Sequence, residues 1–109
     1  MRNLFILLLL VVSPYALAAK ANSFKVDQVR VDRNGKGYVQ FVNNLVESRP
    51  SCSTHLKQLA FDVNTPGGQA IFSLALAAKA SNKKIWAVGT GTCDVYGVVE
   101  SWSWGVIRD

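Results

Sequence analysis

The chain has 109 residues, half of them hydrophobic, and carries 12 Lys+Arg against 7 Asp+Glu for a net charge of +5. That length suits one domain with a modest core. The basic residues are scattered, with only Lys83 and Lys84 adjacent, which is the pattern of a solvated surface and excludes a nucleic-acid stripe. One histidine, two cysteines and no CxxC pair exclude a metal cage of ordinary ligand spacing, and nothing in the sequence calls for a cofactor.

The first segment reads as a leader. Arg2 gives a basic start, residues 4–12 form an unbroken apolar run, and Pro14 is followed by Ala16 and Ala18 at the small-residue positions of a cleavage site. A signal peptide of residues 1–18 is therefore expected, with a single mature domain over 19–109 that is secreted or periplasmic. The apolar run is shorter than the roughly 20 residues needed to span hydrocarbon, so membrane insertion is not expected. No cysteine stands at the cleavage site to take a lipid. In an oxidising compartment Cys52 and Cys93 are most simply one disulfide, and two free thiols are the alternative. Closing a loop of about 40 residues would contribute on the order of 4 kcal/mol.

The elements follow in chain order. Residues 24–31 are strand-like, with Phe24 and Val26 in one phase and Val29 and Val31 in the other, so a bulge is expected at Asp27-Gln28. Asn34-Gly35 predicts a tight hairpin turn with both central residues at positive φ. The returning strand covers 38–42. Residues 43–54 are polar, hold Pro50 and Cys52, and read as a loop. Leu59, Phe61 and Val63 alternate in a third strand. Thr65 is a helix cap, Pro66 suits the first helical position, and Asn82 suits the end of a helix over 69–80. Gly67-Gly68 weakens its first turn. Ile71, Leu74, Ala75 and Ala78 make one apolar face, while Phe72 and Leu76 lie on a different side. Either the 43–54 loop covers that second face or neighbouring subunits do, which makes Phe72 and Leu76 candidate oligomer contacts. A fourth strand covers 85–88. A fifth covers 98–107, with Trp102 and Trp104 on one face. The order is β-β-β-α-β-β.

Residues 88–97 (VGTGTCDVYG) superficially resemble a phosphate loop. Such a loop needs strand, glycines, then a helix whose N-terminal amides face the anion. Here the glycines lie between two strands, and Cys93 and Asp94 stand where the lysine would be. The segment is expected to be a connection between strands, with Cys93 tying it to the 43–54 loop. Catalytic patterns are equally sparse. His55 lies three residues from Cys52, but a Cys/His nucleophile needs a free thiol, and no serine sits in a GxSxG elbow. What remains is an excess of large amphipathic rings: Tyr38, Trp86, Tyr96, Trp102 and Trp104. Most such rings on strands face a core, yet tryptophan and tyrosine faces also stack on sugar rings, so these five are the candidate ligand-binding residues.

The run AFDVNTPGGQAIFSLALAAKASNKKIWAVGTGTC (60–93) gives a strand, a central helix, a short basic turn, and a strand leading to a cysteine. With the leader and the cysteine pair, this layout resembles the B subunits of bacterial AB5 toxins, and most closely subtilase-cytotoxin B-subunit-like secreted proteins. The resemblance implies a β-rich α+β fold, a small OB-like antiparallel β-barrel with one central helix. It also implies a non-enzymatic subunit binding cell-surface glycans as a homo-oligomer, a pentamer in that family, with or without an A subunit as partner. Two rivals stand beside it: a periplasmic or secreted module binding a protein through the Trp-bearing strand, and a small enzyme using His55.

Overall fold

The computed structural model describes residues 18–108, so the expected leader lies almost wholly outside the described residues. Five strands and one helix follow the expected order: β1 (Lys20–Val31), β2 (Lys36–Phe41), β3 (Gln58–Asp62), α1 (Pro66–Ser81), β4 (Lys84–Gly89) and β5 (Trp102–Arg108). The strands form one sheet in the order β3-β2-β1-β4-β5, and every neighbouring pair is antiparallel. The two edge strands approach each other at one point, a parallel bridge between Ala60 and Ser101, where the Ala60 amide donates to the Glu100 carbonyl at 2.8 Å.

The central strand β1 is long because it serves two partners. Its first half pairs with β4, Lys20 opposite Val88 and Ala21 opposite Ala87, and its second half with β2. β1 therefore starts at Lys20 rather than at Phe24. The register slips between Val26 and Gln28, at the expected bulge, and again between Ala21 and Phe24, where Ser23 takes φ 60°. Bulges bend a strand and increase its twist, which lets one strand turn from one partner to the other.

The β1–β2 turn corrects the expected geometry. Gly35 takes φ 88° but Asn34 does not have positive φ. The Gly35 amide donates to the Asp32 carbonyl at 2.9 Å, and the Asp32 amide to the Lys36 carbonyl at 2.7 Å. This is a three-residue loop with glycine in the left-handed position, so only one residue needs the conformation that glycine supplies. The Asn34 side chain accepts instead from the Lys36 amide at 3.0 Å, a local bond that fixes the turn without unusual backbone.

The helix begins and ends where its caps predict. Thr65 Oγ1 accepts from the Gly68 amide at 2.9 Å, Pro66 occupies the first turn, and Asn82 closes the helix at φ 56°. Ala75 and Ala78 are fully buried against the sheet, and Ile71, Phe72 and Leu74 pack around the same core. Phe72 is thus not on a separate outer face: its ring stacks on Phe61 at 5.6 Å. Leu76 is 45% exposed.

β5 also departs from simple alternation. Val88 pairs with Trp104 and Gly89 with Trp102, so one residue of β5 is extra and the register shifts there. The two tryptophans end on opposite faces rather than on one. Trp102 lies in the core, 5.8 Å from the Phe41 ring, while Trp104 is 49% exposed. The core contains Val39, Phe41, Leu59, Phe61, Ile85 and Trp102, closed on one side by the helix. Among the described residues, no helix is long and apolar enough to cross a membrane.

Candidate functional site

A cleft lies on the outer face of the β1–β2–β3 half of the sheet, lined by Arg30, Asp32, Tyr38, His55, Gln58 and Tyr96 beside Val98 and Val99. Strand register builds its floor. Arg30 stands opposite Tyr38 across β1–β2, and Tyr38 and Gln40 alternate with the buried Val39 and Phe41. Outward side chains of neighbouring strands therefore meet. The Arg30 guanidinium lies 5.6 Å from the centre of the Tyr38 ring, and its Nε donates to Asp32 Oδ1 at 2.8 Å. Gln58 Nε2 donates to Gln40 Oε1 at 3.0 Å, and Gln40 Nε2 to Asp27 Oδ2 at 2.9 Å. This relay leaves Gln58 Oε1 as the atom able to accept from a bound group.

The opposite wall comes from the 93–99 connection, and the disulfide places it. Cys52 and Cys93 are bonded, with Cα atoms 6.3 Å apart and a sequence separation of 41. The Val98 carbonyl accepts from the Thr54 amide at 3.0 Å and from His55 Nδ1 at 3.1 Å. His55 Nδ1 also lies 3.1 Å from the Thr54 hydroxyl, so the ring is held between that side chain and the Val98 carbonyl. Ser101 Oγ holds the Asp94 and Val95 amides at 3.1 and 3.4 Å. The wall delivers Tyr96, whose ring meets Tyr38 edge-on at 6.4 Å and whose hydroxyl donates a short hydrogen bond to Asp32 Oδ2.

Electrostatics follow from this packing. The Tyr96 hydroxyl and the Arg30 guanidinium hold the Asp32 carboxyl below its ordinary range. Burial and the bond to Asp32 push the Tyr96 phenol up to about 12. Asp32 and the Tyr38 side chain keep the Arg30 guanidinium charged beyond its already high ordinary value. The cleft therefore presents a fixed cation and a fixed carboxylate beside two aromatic rings. Its volume is about 210 Å³, below the roughly 300–1,000 Å³ of sites for drug-sized ligands, so it suits a single ring-sized group.

Comparison with protein-family models, with curated proteins and with solved structures finds no match.

The five predicted ring residues divide among three places. Tyr38 and Tyr96 meet in the cleft. Trp86 and Trp104 pair on the outer face of β4–β5 with ring centres 4.8 Å apart, and Lys20 and Arg108 approach the Trp86 ring at 5.9 and 5.3 Å. Trp102 is 5% exposed and belongs to the core, where its Nε1 has no hydrogen-bond partner among the described residues. Among the described residues no cysteine is free, so Cys52 has no thiol for His55 to activate. No group of three or more His, Cys, Asp or Glu side chains that could hold a metal occurs among them. Arg30, Asp32 and Gln58 escaped the sequence-based expectations: a two-residue Asn34-Gly35 turn would have set Arg30 opposite Val39, and only the three-residue loop sets it opposite Tyr38.

Proposed function

We propose that this protein is a secreted, non-enzymatic glycan-binding module, an OB-like barrel whose Tyr38–Tyr96 cleft takes one sugar residue. The observation that carries this reading is the cleft itself. Two tyrosine rings wall a space of one-ring size, and Arg30, Asp32, Gln58 and His55 supply fixed donors and acceptors around it. Sugars demand that combination, since their C–H faces pack on aromatic surface while their hydroxyls need oriented hydrogen-bond partners. The barrel reading draws on the bridge between Ala60 and Ser101 at the sheet edges and on the helix across the core. The likeness in layout to AB5 toxin B subunits adds assembly into a homo-oligomer, as far as a pentamer, with an A subunit as one partner.

A shallow site of this size binds weakly. A Kd of roughly 0.1–1 mM corresponds to only about 4–5.5 kcal/mol, so useful retention requires several sites on one particle. Multivalent glycan surfaces are expected to retain the protein, and the same sugar in monovalent form to compete poorly. Tyr38→Ala is expected to abolish retention while leaving the melting temperature within a few degrees. Retention unchanged in Tyr38→Ala and in Tyr96→Phe, or none on a broad glycan array, would remove this reading.

The rival protein-binding reading has its own observation, the Trp86–Trp104 pair on β4–β5 with Val106 exposed beside it. Trp104→Ala distinguishes the two, because it strips that face without touching the cleft.

A further inference from the structure

Glu100 is fully buried outside the Tyr38–Tyr96 cleft, and its carboxylate faces the start of the fold. Both its oxygens meet the Ala19 nitrogen, Oε1 at 3.3 Å and Oε2 at 3.2 Å, and Oε2 also accepts from the Gly91 amide at 3.0 Å. Ala19 itself is 1% exposed. Its carbonyl accepts from the Gly89 amide at 2.9 Å, and Lys20 exchanges two backbone bonds with Val46 at 2.8 and 2.9 Å, so the segment is fixed in place. Room for the carboxylate exists because residue 89 is glycine: a Cβ there would stand 1.9 Å from Glu100 Oε2. The position of Ala19 in sequence gives this contact a second meaning. It is the residue that follows Ala18, the last residue of the expected leader.

We propose that Glu100 is the buried receptor for the α-ammonium group of Ala19, created when a signal peptidase cuts after Ala18, so that processing completes the folded core. The inference rests on the leader reading and is independent of the glycan site. Hydrolysis adds water across the Ala18–Ala19 bond. The hydroxyl goes to the Ala18 carbonyl carbon and a proton to the Ala19 nitrogen. At neutral pH the new Ala18 carboxyl loses its proton to solvent and the Ala19 amine gains one.

Before cleavage the Ala19 nitrogen offers one hydrogen to two carboxylate oxygens. Burial then pushes the Glu100 carboxyl up, against the pull of the Gly91 and Ala19 backbone bonds. After cleavage the same nitrogen offers three hydrogens and a positive charge. A buried carboxylate is tolerated when it is paired and hydrogen-bonded, and the ammonium meets both conditions. Because Ala19 is buried in the fold, cleavage must precede folding, which is the order that export imposes.

The test expresses the full-length chain with export and examines the native product. Intact mass is expected to give Ala19 as the first residue. At neutral pH an amine-acylating reagent is expected to modify the Ala19 amine at least about tenfold more slowly in native than in urea-unfolded protein, since a buried, charged amine is neither accessible nor nucleophilic. A glycine inserted after Ala18 moves the amine out by one residue. It is expected to restore fast acylation and to raise the unfolding constant at least about tenfold, with that penalty shrinking in an E100Q background. A different first residue would overturn the proposal. So would equal acylation of native and unfolded protein, or an inserted-glycine penalty unchanged by E100Q. If E100Q does not fold, the native-against-unfolded acylation comparison decides alone.

Discussion

The Tyr96 hydroxyl reaches Asp32 across 64 residues of chain, and that single bond ties the 93–99 connection to the β1–β2 hairpin. Its consequence is a displaced titration. Tyr96 has its folded-state value raised from 10.0 to about 12, chiefly by burial and then by Asp32. A raised value means that the contribution to stability is complete below the ordinary tyrosine range and is lost as pH climbs through the folded value. Phenolate absorbance is expected to show a late step near 12, and Tyr96→Phe is expected to remove it. Stability of the wild type should fall more steeply than that of Tyr96→Phe over the same alkaline window, as followed by urea unfolding at each pH. Asp32 works in the opposite direction. Its lowered carboxyl stabilises above the ordinary carboxylate range, and that contribution disappears as acid protonates it. The residue types at this site were visible in the sequence; the pairing of Arg30 with Tyr38 was not, because it depends on the three-residue loop that stands in place of the expected two-residue turn. The approach of Tyr96 was not, because no local pattern encodes a contact at that separation.

Within the helix, two adjacent glycines have opposite expectations. A Cβ at Gly68 would stand 1.7 Å from the Asp62 carbonyl oxygen, whereas at Gly67 nothing lies within 4 Å. Gly68→Ala must push the helix off the end of β3 and is expected to cost about 1–3 kcal/mol or more. Gly67→Ala is expected to stabilise by about 0.4–1 kcal/mol, since it restricts only the unfolded chain. Thr65→Ala removes the cap on the Gly68 amide and is expected to cost about 1 kcal/mol. Urea denaturation of the three variants checks the set, and equal effects at Gly67 and Gly68 would contradict this account of the helix start. The caps of α1 were legible because capping is local chemistry: a hydroxyl, a proline and an asparagine each act within one turn. The role of Gly68 was not, because a close approach to β3 is set by packing. The same distinction governs β5, where strict alternation put Trp102 and Trp104 together and a bulge separates them.

For the whole molecule, the disulfide both staples the chain and builds the cleft wall. Replacing Cys52 and Cys93 together by serine is expected to lower stability by roughly 2–5 kcal/mol. It is also expected to weaken glycan retention more than Tyr96→Phe does, because the entire 93–99 wall loses its anchor. Calorimetry and retention on a multivalent surface separate the two losses. Assembly is tested at Leu76, which is exposed, whereas Phe72 stacks on Phe61 and its loss would disturb the core. Leu76→Ser is expected to reduce the mass of the particle in light scattering while its thermal unfolding stays nearly unchanged. A wild type running as a monomer at micromolar concentration would remove the homo-oligomer reading and leave each cleft to act alone.

The sequence by itself determined the order of elements, the helix caps, the position of the β1 bulge at Asp27-Gln28 and the exclusion of a phosphate loop. All of these depend on residues close together in the chain. The pairing of Cys52 with Cys93 was also accessible, since a lone pair in an oxidising compartment has one simple solution. Only the tertiary structure decided which rings are exposed, because one extra residue in β5 reverses the face of every side chain beyond it. It alone set Tyr96 against Asp32 and the Ala19 nitrogen against the Glu100 carboxylate, contacts separated by 64 and 81 residues. Contacts that distant arise from how strands close on one another, and neither composition nor period carries that information.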